Sequence, residues 1–287
     1  FFTNLTEDHL DFHKDMEDYC DAKGKLFGIC DTGCVNADDP WTPRLIKNAT
    51  CRLMCYSTKS AADLTAEHIA LHSDGVEFDA VSGGERAHVR LGIPGAFTVY
   101  NALGVIQAAQ ALGLPLEKIA AALSTAQGVK GRAEVVPTPG KDYTVLIDYS
   151  HTPDSLENIL KTVRGFCRGH VIAVFGCGGD RDPFKRPIMG GIAARLADVA
   201  VVTSDNPRTE DPNEIIRQIV AGMDGAKTPP TVIENRPKAI EWAMDHAEPG
   251  DVIVLCGKGH ETYQEIGHEK RHLDEREVVA SYLERTL

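Results

Sequence analysis

No run of apolar residues in this chain is long enough to span a bilayer, and nothing in it reads as a secretion leader. A basic excess is missing too: 30 lysines and arginines stand against 42 aspartates and glutamates, a formal charge of -12. That disfavours a nucleic-acid or anionic-membrane surface, while leaving room for phosphorylated substrates at local basic clusters. Cysteine is sparse, with eight spread over 287 residues, which excludes a disulfide scaffold and points to free thiols in a reducing cytoplasm. Cys30 with Cys34 and Cys51 with Cys55 share a spacing that zinc allows. The spacing is loose, and the residues after the first pair read as strand then turn, so zinc is the weaker reading. An initiator methionine is also missing. Phe1-Phe2-Thr3-Asn4 reads as the end of a buried strand, as though the chain starts inside a domain.

What is present is ordinary for a globular protein: 43% hydrophobic and 25% charged residues, in a length comfortable for two domains. Residues 14 to 28 place Met16, Tyr19, Cys20, Lys23 and Phe27 at helical spacing. From about 50 to 93 short alternating runs, broken at Asp74-Gly75 and Gly83-Gly84, predict hairpins. Helices follow over Asn101 to Leu112 and Leu116 to Ala126. Beyond a hinge at Gly128-Val129-Lys130-Gly131, strands near 143-149, 170-176, 199-204, 230-234 and 251-256 alternate with amphipathic helices. Thr152-Pro153 and Asp211-Pro212 open two of those helices. This is the pattern of a parallel sheet wrapped on both faces.

Polar loops follow four of these strands, where open parallel sheets collect ligands. Asp205-Asn206-Pro207-Arg208 puts an arginine fork at that edge, suited to a carboxylate; as an isolated dipeptide, Asn206-Pro207 is only turn chemistry. Gly176-Cys177-Gly178-Gly179-Asp180-Arg181-Asp182 has glycines that let backbone donors approach an anion, but not the third glycine of the dinucleotide fingerprint. Together with Lys185, Arg186 and Arg208 it suggests a basic pocket in an acidic protein. In Asp148-Tyr149-Ser150-His151-Thr152-Pro153-Asp154, Asp148 suits a sugar hydroxyl and His151 a phosphate or a loop cap. Gly257-Lys258-Gly259-His260-Glu261 is the fourth loop. Earlier, Asp8-His9-Leu10-Asp11-Phe12-His13 offers part of a divalent-metal site, although a lone cluster is more often a solvated turn. Lys23 reads as a snorkelling lysine.

In this order the stretches Thr3 to His13, Ala22-Lys23, Gly131-Arg132, Asp148 to Asp154, Gly178 to Asp182, Asp205 to Arg208 and Gly257 to Glu261 resemble the Mur ligases of peptidoglycan synthesis. The resemblance is to the type that adds meso-diaminopimelate to UDP-N-acetylmuramoyl-L-alanyl-D-glutamate. It implies an α/β fold: the second half of a Mur ligase central ATPase domain over 1-128, then a Rossmann-like parallel-sheet C-terminal domain over 129-287 that binds the amino acid. It also implies a cytoplasmic, monomeric enzyme with small-molecule partners only, using ATP and Mg²⁺. ATP would phosphorylate the side-chain carboxylate of D-glutamate, and the incoming amine would displace phosphate from the acyl phosphate. Such chemistry needs charge neutralisation and alignment.

By the same resemblance His9 is a magnesium ligand, and Lys23 is carbamylated by CO₂ to support the metal. Asn101 contacts adenine, Arg132 a phosphate and Asp148 the ribose, with Tyr149, His151 and Lys185 near the nucleotide. Arg181, Asp205, Asn206, Pro207, Arg208, Gly257 and Glu261 hold diaminopimelate, Arg208 clamping its distal carboxylate and Glu261 meeting its distal ammonium. Lysine lacks that carboxylate and would leave Arg208 unpaired, at a cost of about 2 to 5 kcal/mol if the cation is buried. One departure matters. The family's glycine-rich nucleotide loop ending in Gly-Lys-Thr-Thr occurs nowhere in the 287 residues, and the uridine-nucleotide domain is likewise missing, so a fragment unable to ligate alone is expected. A folylpolyglutamate synthetase-like ligase is the rival within the superfamily, and the Asp-Asn-Pro-Arg stretch speaks against it. A non-catalytic amino-acid or nucleotide-binding module is the rival outside it.

Overall fold

The computed structural model describes residues 1-6 and 13-286. They form two compact units: Phe1–Leu71, Gly75–Gly92 and Ala96–Ala126 in the first, and His72–Asp74, Ile93–Gly95 and Gln127–Leu287 in the second.

In the first unit, helix α1 (Met16–Gly24) starts where the Asp15 side chain accepts the Asp18 backbone N–H at 2.8 Å, with Glu17 and Asp18 favourably placed in the first turn. It tightens into a 3-10 turn over Lys25–Gly28, so the expected helix ends in two pieces. Strands β1 (Thr32–Asn36), β2 (Arg52–Ser57), β3 (Leu64–His72), β4 (Gly75–Ser82) and β5 (Glu85–Leu91) lie in that order in one sheet, with the short helix α2 (Thr42–Leu45) between the first two. The pairs β1–β2 and β2–β3 are parallel, and β4–β5 is the antiparallel hairpin expected at Gly83-Gly84. Phe2 bridges Val35 in parallel and is buried, which matches the strand-end reading of the first residues. Helices α3 (Ala96–Ala111) and α4 (Leu116–Leu123) press Val99, Leu103, Ile106, Leu116 and Ile119 against Val76, Phe78, Ala80, Val89 and Leu91. Alternate residues of β4 and β5 reach this core because side chains of a strand alternate between faces. All eight cysteines are free. Cys20 is part of the Phe2, Tyr19 and Phe27 core, with Cys30, Cys51 and Cys55 packed against it, and among the described residues no three metal-ligating side chains gather.

The second unit is built on six strands in the order β10-β9-β8-β11-β7-β6, namely Thr231–Val232, Val199–Val202, Val171–Phe175, Val252–Cys256, Thr144–Asp148 and Glu134–Val136. All pairs are parallel except the edge pair β6–β7. Five further helices accompany them: α5 (Pro153–Arg164), α6 (Lys185–Leu196), α7 (Pro212–Val220), α8 (Arg236–Asp245) and α9 (Glu275–Thr286). Val145, Ile147, Ile172, Val174, Val201, Ile253 and Leu255 pack with α8 and α9. The intervening Leu146, Ala173, Phe175, Val202 and Val254 are buried too, and α5 packs on β8 and β11 while α6 and α7 pack on β9. Near-continuous apolar strands covered on both faces are what a parallel sheet requires. Thr152 caps α5 in a capping box, and Asp211 caps α7, as their sequences predict. A final antiparallel ribbon, β12 (Tyr263–Ile266) with β13 (Glu269–His272), has no counterpart in the sequence reading. No helix among the described residues is long and apolar enough to cross a membrane.

Candidate functional site

Strands β9, β8, β11 and β7 are consecutive in the second sheet, so their four carboxyl-end loops lie side by side. The chain leaves β8 outward to β9 and β10 and returns to insert β11 between β8 and β7, which makes this edge a topological switch point.

The β9 loop holds the densest polar network. Asn206 is buried; its Nδ2 donates to Glu261 Oε2 at 3.0 Å, and its Oδ1 accepts from Lys258 Nζ at 2.8 Å and from the Glu265 backbone N–H at 2.9 Å. Lys258 Nζ also donates to Glu261 Oε2 at 3.1 Å. Arg208 sits in left-handed backbone, φ 49°, and is braced by the ribbon: its N–H donates to the Glu265 carbonyl at 3.0 Å, and its own carbonyl accepts from Gly267 at 2.7 Å. Its guanidinium donates from Nε to Glu265 Oε2 at 3.0 Å and from Nη1 to the Gly179 carbonyl at 2.8 Å. Among the described residues Arg208 Nη2 and Glu261 Oε1 make no hydrogen bond. Beneath the loop, Asp205 Oδ2 lies 4.0 Å from Nη1 of the fully buried Arg236, which donates from Nε to Glu275 at 2.8 Å and from Nη2 to the Cys256 carbonyl at 2.8 Å. A side chain at Gly257 would stand 2.5 Å from Asp205 Oδ2, and its φ of 114° demands glycine in any case.

On the β7 side, the Tyr149 ring lies 4.7 Å from His151 and 5.2 Å from His260, with the Arg132 guanidinium 5.7 Å over its face. Lys185 Nζ donates to the His151 carbonyl at 2.8 Å.

Residues 1–109 match the model of the Mur ligase middle domain, and residues 131–259 that of the Mur ligase glutamate ligase domain. The chain belongs to the Mur ligase family. A protein of Clostridium acetobutylicum named UDP-N-acetylmuramoyl-L-alanyl-D-glutamate--2,6-diaminopimelate ligase 1 is 48% identical over 283 residues, which cover 98% of this chain and 58% of that protein. A ligase of Clostridium botulinum, named for the same reaction, is 47% identical over 97% of the chain and 57% of its own length. A solved structure of such a ligase superposes with a TM-score of 0.78 at 34% identity, covering 99% of this chain and 59% of that one. The Mur ligase chain thus spans under three fifths of the relatives it matches.

Within this Mur ligase fold the residues singled out from sequence separate into groups. Asp205, Asn206, Pro207, Arg208, Gly257 and Glu261 come together at one edge, as do Arg132, Tyr149, His151 and Lys185. Arg181 is exposed and bonds only the Asp180 carbonyl among the described residues, at 3.0 Å. Asp148 is buried, its carboxylate already accepting from Ala133 N–H at 2.8 Å and from Ser150 N–H at 2.9 Å. In the first unit Asn101 is exposed on α3, and Lys23 is exposed on α1 with Nζ 4.8 Å over the Tyr19 ring. His9 lies outside the described residues.

Three sequence readings are corrected. Gly179 does not offer its N–H to an anion: that N–H is spent on the Asn206 carbonyl at 2.9 Å, and a side chain there would meet the Pro207 carbonyl oxygen at 1.9 Å. It lets the β8 and β9 loops pack backbone to backbone. Arg186 does not contribute to an open basic pocket, because it is buried and grips Glu210 with two bonds of 2.8 and 2.9 Å. Arg208 is partnered by Glu265, so an amino acid without a distal carboxylate would not leave it unpaired. Sequence reasoning missed Lys258, Glu265, Arg236 and Glu275 as parts of this network. Only Lys258 carried a signal, a lysine in a loop that otherwise reads as ligand-facing.

Proposed function

We propose that the intact protein carrying this chain joins meso-diaminopimelate to UDP-N-acetylmuramoyl-L-alanyl-D-glutamate at the expense of ATP. The observation that carries the reading is a pair of opposite charges tied into one network: Asn206 bonds Glu261 directly and reaches Arg208 through Glu265, and Arg208 Nη2 and Glu261 Oε1 make no hydrogen bond among the described residues. A distal centre with one carboxylate and one ammonium matches that pair. The names of the clostridial relatives agree with it.

In the reaction, the γ-phosphoryl group passes to the D-glutamate side-chain carboxylate. The amine of diaminopimelate then attacks the acyl carbon, forming the amide and releasing phosphate, with ADP as the other product. The chain's own contribution is to hold the amino acid at the β9 and β11 loops while Tyr149, His260 and Arg132 offer stacking and a cation to the nucleotide side. Lys185 is held by the His151 carbonyl at 2.8 Å on that side, a cation of the kind that neutralises a phosphoryl group. A solved ligase from Thermotoga maritima carries ADP on a similar fold, at 15% identity and a TM-score of 0.61. Among the described residues no three His, Cys, Asp or Glu side chains gather to hold a metal, and His9 lies outside them.

ATP turnover by the intact protein with diaminopimelate and with lysine tests the reading. A strong preference for diaminopimelate is expected, and equal rates would sink it. The 287 residues alone contain no Gly-Lys-Thr-Thr loop and are expected to bind the amino acid without ligating it; diaminopimelate-dependent ADP release from them would contradict that.

A further inference from the structure

Lys258 is a lysine with no exposed surface, placed one residue past Gly257 and three before Glu261. A lone buried ammonium is costly, and lysine is the basic residue least often retained in such a place. Here three hydrogen bonds close a ring: Lys258 to Asn206 Oδ1 at 2.8 Å, Lys258 to Glu261 Oε2 at 3.1 Å, and Asn206 Nδ2 to Glu261 Oε2 at 3.0 Å. One oxygen of Glu261 is therefore saturated by a cation and an amide, and the side chain is 15% exposed. On the other side of Asn206, Arg208 is cancelled in the same way by Glu265 at 3.0 Å. Each charge available to the amino acid's distal end thus already has an opposite charge behind it.

This arrangement has a consequence for selection. A carboxylate alone in the pocket would attract any cationic tail, lysine included. A carboxylate backed by Lys258 gains little from a bare ammonium, because the incoming positive charge feels both members of the pair at close range in a poorly screened site. A zwitterionic end adds its ammonium at Glu261 and its carboxylate at Arg208 without changing the net charge of the site. We infer that Lys258 is a specificity-determining residue: by neutralising Glu261 it turns a cation trap into a site for an amino acid whose distal end carries both charges. The inference rests on the diaminopimelate reading above and acts through Glu261, not on the reacting atoms.

The test is the ratio of kcat/KM for lysine to kcat/KM for diaminopimelate, measured on one preparation of the intact protein so that the folded fraction cancels. Lys258→Met keeps the apolar stem and removes the charge. It should raise the ratio about tenfold, since Glu261 is left as an uncompensated anion. Glu261→Gln leaves Lys258 uncompensated and should move the ratio the opposite way, while Lys258→Arg should hold it near the parent value. A merely structural lysine would lower both rates together and leave the ratio unmoved in Lys258→Met. That result, in a parent that prefers diaminopimelate, overturns the inference alone. A parent with no such preference overturns the functional reading and the inference with it. Should Lys258→Met not fold, an unmoved or raised ratio in Glu261→Gln is the overturning result.

Discussion

Two aspartates stand just past the carboxyl ends of parallel strands, Asp38 beyond β1 in the first unit and Asp205 beyond β9 in the second, and they are satisfied in opposite ways. Asp38 accepts from Ser57 Oγ at 2.5 Å, Thr58 N–H at 2.8 Å, Thr58 Oγ1 at 3.0 Å and Tyr100 OH at 3.0 Å. Burial works to raise its carboxyl, but these donors outweigh it and hold the group below its ordinary range. Asp205 spends Oδ1 on its own neighbour, Asn206 N–H, at 2.7 Å. Its Oδ2 has no donor, and neither Arg236 Nη1 nor Glu275 Oε2 nearby has a partner. A carboxylate saturated by neutral donors is a lock between segments. One held chiefly by a neighbouring charge, with lone pairs unspent, is the kind of unfinished network that native structures keep where function repays it.

The largest expected effect breaks the second arrangement outright. Arg236→Met removes both bonds to Glu275 and Cys256 and strands two buried carboxylates, which should cost about 3 to 5 kcal/mol. A urea denaturation midpoint close to the parent's would show that the charges are not coupled as described. Next comes Asp38→Ala, which orphans the hydroxyls and N–H that converge on it. A loss of about 1 to 3 kcal/mol is expected, with KM for diaminopimelate unchanged in the intact protein. A raised KM would mean that Asp38 is more than a lock.

Asp205→Asn sharpens the contrast from the other side. It removes one of two negative charges that share a single arginine, so stability should move by less than about 1 kcal/mol. KM for the amino acid should nevertheless rise roughly tenfold, equivalent to about 1.4 kcal/mol, because the β9 loop loses its tie to Arg236. A large loss of stability with KM untouched would put Asp205 in the same class as Asp38.

Much of this edge was legible in sequence, and the reason is local. Strands β7, β8, β9 and β11 each announce themselves as apolar runs closed by turn residues, and capping pairs such as Thr152-Pro153 mark the helices that follow. Arg208 could be picked out because it lies in a loop at a strand end, whereas Glu261 was named only through the family resemblance. Their partners could not be named. Glu265 is 57 residues from Arg208, and Glu275 is 39 from Arg236, distances at which periodicity carries no information. Gly179 was misread for a different reason: a glycine that admits a ligand and one that admits another backbone look the same in a sequence, and only the Pro207 carbonyl at 1.9 Å from a would-be side chain decides between them. Charge was misread likewise, since Arg186 and Arg208 count as positive in composition but each is cancelled by a glutamate in space.

The smallest expected effect concerns one of those cancelled charges and depends on pH. The Arg186 guanidinium hydrogen-bonded to Glu210 holds that carboxyl below its ordinary range in the folded protein. A folded-state pKa that lies below the unfolded one means the native state prefers the ionised form. The pair's contribution is therefore complete at pH values above the unfolded value near 4.5 and is lost as acid protonates Glu210 through its lower folded pKa. Glu210→Gln cannot ionise, so it should melt below the parent at neutral pH and converge on it under acid. The neutral-pH gap should be a few degrees at most, roughly the shift that about 1 kcal/mol produces in a protein of this size. Parallel melting curves for parent and variant from neutral pH down to pH 3, as about the lower limit of the titration, would show that the Glu210 charge does no such service and that Arg186 is held by packing and by its bonds to Gln218 and the Gly178 carbonyl.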